Sequence, residues 1–284
     1  MSAAVSPTVT GTNDTAGARR IAAAFATARE AGRIALIPYV VVGYPDAATS
    51  LRVALAAIDA GADLLEIGLP YSDPLADGAT LQRASQVALG NGATLEGSLR
   101  LIEDIAAARP ATPIVPMGYA NQFLGGGDGQ AAAERLSRAG AAGVIVADLT
   151  PDEGVPFETV AREQGLAVVY LVAPTTPPAR RAIVAGRSGG FLYCVSLVGV
   201  TGAGAELPVS VAELVRDVTA VSPVPVGVGF GVSQPAHVRA IARAGAGGVI
   251  VASALVDALG ADGTDIAAME HLVGELAAAT RQPV

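Results

Sequence analysis

"AGADLLEIG" at 60–68, "AGAAGVIVAD" at 139–148 and "AGAGGVIVAS" at 244–253 are three versions of one phrase. Each closes a helix-like segment on a glycine and passes at once into a short apolar run. Glycine just past a helix supplies the left-handed C-terminal cap, and a short connection into a β-rich run is the usual helix-to-strand loop. A chain that repeats this phrase alternates helices with strands, which predicts a parallel sheet wrapped by helices rather than two packed sheets.

Working outward from these phrases, eight apolar runs are bounded by turn residues: "IALIPYVVV", "DLLEIG", "PIVPMG", "GVIVAD", "LAVVYLV", "GFLYCVSLV", "PVGVGFG" and "GVIVAS". Eight near-continuous buried strands alternating with Ala-rich helical stretches predict an α/β fold, a (β/α)8 TIM barrel. A doubly wound open sheet is the competing architecture. Its fingerprint of spaced glycines after the first strand is missing, and Gly43-Tyr44-Pro45 stands there instead. An extra N-terminal helix is expected over 19–32 and a helical tail from Ile266. No linker divides the chain, so residues 19–284 form one expected domain. Residues 1–18, small and polar with no apolar core, are expected to be a disordered leader rather than a targeting segment. The Gly-rich "NQFLGGGDGQ" from Asn121 is expected as a flexible loop on the barrel face that carries active sites.

Composition removes several chemistries. The chain of 284 residues is 51% hydrophobic with a net charge of −8, and no basic stripe offers a surface to nucleic acid. No apolar run approaches the ~20 residues of a membrane span. All 18 basic residues are Arg, so a Lys Schiff base with a carbonyl substrate or pyridoxal phosphate is excluded. Two His and one Cys fall short of a zinc site built from those residues. No cofactor is expected, and the lone Cys194 fits a reducing cytoplasm. His237 reads as a surface helix residue. Acid–base chemistry is left to carboxylates and tyrosines.

"DLLEIGLPYSDPLADG" at 63–78 places three carboxylates in an apolar, turn-rich stretch. Strand alternation that sends Leu65 and Ile67 outward to the helices sends Leu64, Glu66 and Gly68 into the barrel. A carboxylate there costs several kcal/mol unless it is paired, solvated or protonated. The C-terminal end of a strand is where barrels place catalytic residues, and such surroundings raise a carboxyl pKa into a range that suits giving and taking a proton. The alternative is a buried Glu–Arg pair, although no Arg falls on an expected strand. Asp73 reads equally as a turn residue and Asp77 as a helix N-cap. Three small-residue stretches, "GVTGAG" from Gly199, "GFG" at Gly229–Gly231 and "ASA" at Ala252–Ala254, follow the last three strands. Together they predict a phosphate site made of backbone amides, with Ser253 heading a helix.

With those residues in place, "LLEIGLPYSDPLADG" resembles the signature of the tryptophan synthase alpha family of indole-3-glycerol-phosphate lyases. So do "MGYAN" from Met117, "VADLTPDE" from Val146, "GVTGA" from Gly199, "VGFGVS" from Val228 and "ASALV" from Ala252, in family order across about 34–256. The resemblance implies retro-aldol cleavage of indole-3-glycerol phosphate to indole and glyceraldehyde 3-phosphate. It implies that Glu66 is the acid–base and that Asp77 contacts the indole nitrogen. It places Tyr193 near the catalytic Glu, Thr201 on the loop after the sixth strand, and Gly202, Gly231 and Ser253 around the phosphate, where Gly229 and Ala252 of the small-residue stretches add backbone amides. Tyr39, Met117 and Tyr119 fall on positions that line the substrate site. Asp73 falls on the loop that meets a beta subunit in an α2β2 heterotetramer. Ala252, Val41 and Leu197 stand where the family often has Gly, Thr and Arg. The role implied is the alpha subunit in tryptophan biosynthesis; a free-standing lyase releasing indole and a catalytically weak regulatory subunit are the alternatives.

Overall fold

The computed structural model describes residues 14–125, 127–195, 209–229 and 231–281. Its strand segments are β1 Ala35–Val41, β2 Leu65–Gly68, β3 Ile114–Gly118, β4 Gly143–Val146, β5 Ala167–Val169, β6 Leu171–Val172, β7 Leu192–Val195, β8 Val226–Gly229 and β9 Gly248–Val251. All neighbours pair in parallel, in the lateral order β5-β4-β3-β2-β1-β9-β8-β7-β6. The two ends of that order are one stretch of chain broken only at Tyr170, so the sheet closes on itself. The break has a local cause: the Tyr170 N–H donates to Ser188 Oγ at 3.0 Å. Its carbonyl still accepts from the Tyr193 N–H at 3.0 Å, which keeps the interrupted strand in place. Eight apolar runs thus make the eight staves of a TIM barrel, and the open doubly wound sheet is excluded.

Strand alternation divides the core into two shells. Ala35, Ile37, Leu64, Val115, Ile145, Ala167, Val169, Phe191 and Ile250 form the inner cluster. Leu65 and Ile67 belong to the outer one, with helix residues such as Val53, Ala54 and Ala57. Side chains of period two thus carry alternate residues to the barrel axis and to the helix layer, as expected for β2.

The N-terminal helix spans Ala16–Glu30, beginning three residues ahead of the expected start. The missed signal was Thr15, whose Oγ1 accepts the Ala18 N–H at 3.0 Å and so caps the first turn. Ile21 and Phe25 of this helix join the inner cluster, closing the end of the barrel where the strands begin. The expected tail is a helix over Ile266–Ala279, capped by Asp265, with Met269, Val273 and Leu276 buried. Two expectations need correction. His237 lies on a helix, Pro235–Arg243, but is buried rather than on the surface, and its Nδ1 accepts the Ser233 N–H at 3.3 Å. The stretch from Asn121 does not begin as an open loop, because Ala120–Leu124 forms a short helix.

Candidate active site

The C-terminal ends of β1, β2, β3 and β7 gather the ionisable groups. Glu66 sits opposite Tyr39 on β1 and Val115 on β3 in register. It is 1% exposed, and among the described residues neither of its carboxylate oxygens has a hydrogen-bond partner. The buried Glu–Arg pair that was its alternative occurs elsewhere, between Glu158 and Arg187 at 2.6 Å. Burial raises the Glu66 carboxyl well above the ordinary range, and the nearby Asp77 charge raises it further.

Tyr39 and Tyr193 are both buried beside this carboxyl. Burial comes first in raising both phenols, followed for Tyr39 by the charges of Asp77 and Glu66 and for Tyr193 by that of Glu66. The Tyr39 ring lies across Gly68, where a Cβ would fall 1.9 Å from the hydroxyl. Glycine at the end of β2 is therefore what leaves room for an aromatic next to Glu66. Met117, next to last in β3 and half-buried, belongs to both apolar clusters and so lines the same mouth.

Asp77 lies on the loop that follows β2. It does not cap the next helix, Ala79–Gly90, whose N-cap is Gly78 with no side-chain bond. Partial burial instead pushes its carboxyl up to about 6, and the neighbouring Tyr119 hydroxyl acts in the opposite direction. The Tyr119 phenol is itself pushed up to about 12, by burial and then by the Asp77 charge. Asp73 is an exposed turn residue whose carboxylate accepts from Ser72 Oγ at 2.5 Å.

The residues expected to form a phosphate site fall where β7, β8 and β9 lie side by side. Gly229 ends β8 in register with Val195 at the end of β7. The Tyr193 hydroxyl approaches it so closely that a Cβ there would fall 2.9 Å away. Gly231 follows with φ +60°. Ala252 occupies the N-cap position of the short helix Ser253–Ala258, which Ser253 opens as expected. Thr201, Gly202 and Leu197 lie outside the described residues.

Three groups that sequence reasoning passed over also shape the site. The Tyr71 ring stacks on Tyr119 with centroids 5.0 Å apart, Gln122 bonds both the Tyr119 N–H and the Pro70 carbonyl, and Asp148 accepts the Ala120 N–H at 2.7 Å. Asp148 was legible in principle, as a polar residue just beyond the end of β4. The other two work through tertiary contacts that strand periodicity does not encode. Among the described residues no cluster of His, Cys, Asp and Glu could hold a metal ion, and no helix is long and apolar enough to cross a membrane.

The chain is similar to known proteins over most of its length. The family model described as tryptophan synthase alpha chain matches residues 25–281. The tryptophan synthase alpha chain of Roseiflexus castenholzii is 48% identical over 240 residues, 84% of this chain and 91% of its own. That of Gloeobacter violaceus is 43% identical over 263 residues, 93% of each chain. Among solved structures, a chain of Mycobacterium tuberculosis tryptophan synthase superimposes with a TM-score of 0.85 at 40% identity, over 93% of this chain and 99% of that one. The tryptophan synthase A-subunit of Pyrococcus furiosus gives 0.80 at 36% identity, over 86% and 98%.

Proposed function

Since the chain belongs to the tryptophan synthase alpha chain family, a family of lyases in tryptophan biosynthesis, we propose that the carboxylates at its barrel mouth cleave indole-3-glycerol phosphate by acid–base catalysis. The observation that carries this reading is the pairing of Glu66, buried without a partner among the described residues, with Asp77 on the loop beside it.

The two groups differ in environment, which suits them to opposite tasks. Glu66 favours its neutral form, so it can deliver a proton to carbon three of the indole ring and convert it into a leaving group. As the carbon–carbon bond breaks, the side-chain hydroxyl becomes the aldehyde of glyceraldehyde 3-phosphate, and its proton returns to the Glu66 carboxylate. Asp77, ionised above about pH 6, accepts the indole N–H and stabilises the positive charge that the protonated ring would otherwise carry. Tyr39, Met117, Tyr119 and Tyr193 wall the ring. Gly229, Gly231, Ala252 and Ser253, with Thr201 and Gly202, hold the phosphate through backbone amides and hydroxyls. No bound cofactor enters these steps.

In this family the alpha chain works with a beta subunit. The finer reading is an α2β2 assembly in the cytoplasm in which the beta partner consumes the indole. Its support is the loop after β2, which exposes Asp73 and leaves Leu75 93% exposed. The test is indole release from indole-3-glycerol phosphate with and without a cognate beta subunit. Strong activation on mixing is expected; high activity that the beta subunit leaves unchanged points to a free-standing lyase, and no activity in either case overturns the enzyme reading.

A further inference from the structure

The loop between β2 and helix Ala79–Gly90 carries Asp77, yet its own backbone bonds are few: Leu75 N–H to the Asp73 carbonyl at 2.9 Å and Asp77 N–H to the Pro74 carbonyl at 3.1 Å. Most of the contacts that fix it come from the segment after β3. The Ala76 N–H donates to the Tyr119 hydroxyl at 3.0 Å, Gln122 Nε2 donates to the Pro70 carbonyl at 3.1 Å, and Asn121 Nδ2 reaches the Tyr71 hydroxyl at 3.3 Å. That segment is itself braced. Gln122 Oε1 accepts the Tyr119 N–H at 3.0 Å and Asp148 accepts the Ala120 N–H at 2.7 Å. Tyr119 is 5% exposed, so its ring is held while its hydroxyl faces the loop.

We propose that Tyr119 is a positioning residue for Asp77: its hydroxyl accepts the Ala76 N–H and donates its one proton to the Asp77 carboxylate, docking the loop and orienting its acid group together. A phenol has a single proton, and with the Ala76 amide filling an acceptor position, that proton is left for the carboxylate. A donor aimed at a carboxylate favours its charged form, which is the form that accepts a ring N–H. The proposal rests on the reading of Asp77 given above. The other ionisable groups around the pair are Glu66 from β2, Tyr39 from β1 and Tyr193 from β7, with Asp148 acting on Tyr119 from beyond β4.

The test is the titration of the Asp77 carboxyl by carbon NMR in the full-length protein, together with the pH profile of kcat. In Tyr119→Phe the midpoint should rise from about 6 by about one pH unit, and the acid limb of kcat should move with it. Tyr71→Leu, which removes the ring stack and the Asn121 contact but leaves the Tyr119 hydroxyl in place, should lower kcat without moving the midpoint. An Asp77 midpoint unchanged in Tyr119→Phe, with kcat reduced equally at every pH, would overturn the proposal. If Tyr119→Phe does not fold, 3-fluorotyrosine at position 119 keeps the shape and acidifies the phenol, and must lower the midpoint; an unmoved or raised midpoint overturns the proposal. The titration needs no substrate. A failed role for Asp77 in cleavage, seen as full turnover in Asp77→Asn, is thereby distinguished from a failed role for Tyr119.

Discussion

At the scale of single residues, Glu66 carries a cost that only function explains. Its folded-state pKa is raised above the ordinary carboxyl value of 4.5, so the folded protein binds a proton that the unfolded chain releases. Its contribution to stability is therefore complete below the unfolded pKa and is lost as pH rises towards the folded value. Glu66→Gln keeps the shape and removes the charge. It should match the parent in melting temperature near pH 4 and exceed it above pH 7, the stability gap widening by up to about 1.4 kcal/mol for each pH unit between the two pKa values. Thermal melts across that range decide it, and equal melting at every pH would mean that Glu66 is not held neutral. Asp77→Asn should lower kcat by about 10- to 100-fold, a milder loss than at Glu66, because it assists rather than performs the bond cleavage. Turnover in the parent should fall as pH drops through about 6, where Asp77 gains its proton, and an unchanged rate in Asp77→Asn would refute its role. Glu66 was legible in the sequence from strand alternation and barrel polarity alone. Asp77 was not: as residue chemistry it read as an N-cap, and only the family resemblance gave it another task.

At the scale of elements, the helix-to-strand phrases were legible because Gly caps and β-branched runs are local signals. What sequence reading missed were tertiary arrangements. The Thr15 cap was hidden in a segment resembling a leader, the break at Tyr170 depends on Ser188, and His237 is buried by its neighbours. The N-terminal helix shows how one position can control docking. Gly17 donates its N–H to the Gly165 carbonyl at 2.8 Å, and a Cβ on it would fall 1.7 Å from the Ala142 carbonyl oxygen. That neighbour is backbone and cannot rotate away, so Gly17→Ala should force the helix off the end of the barrel. A cost of about 1–3 kcal/mol is expected, read as a fall in melting temperature of roughly 2–4 °C for each kcal/mol. An unchanged melting temperature would mean that the helix is not seated as described. Gly68→Ala should act at the other end: its Cβ would displace the Tyr39 ring from the site, raising KM.

At the scale of the whole molecule, the barrel divides its labour between two ends. The N-terminal helix with Ile21 and Phe25 seals one end, and the other carries the carboxylates, the tyrosines and the glycines proposed to hold the phosphate. Conserving the packed shell while loading function onto strand ends is the division of roles that this architecture allows. It also explains why the fold was readable from repetition whereas the substrate was not: eight similar staves advertise themselves, but the wall proposed to bind the ring is assembled from single residues on separate strands. The family resemblance supplied the indole. The central claim, that the buried Glu66 performs the cleavage, is tested most directly by indole release from indole-3-glycerol phosphate by Glu66→Gln in the presence of a beta subunit, with binding of a phosphate-bearing substrate analogue measured on the same sample. The expected result is a loss in kcat of at least about a thousandfold with analogue binding retained; near-normal turnover would contradict the account.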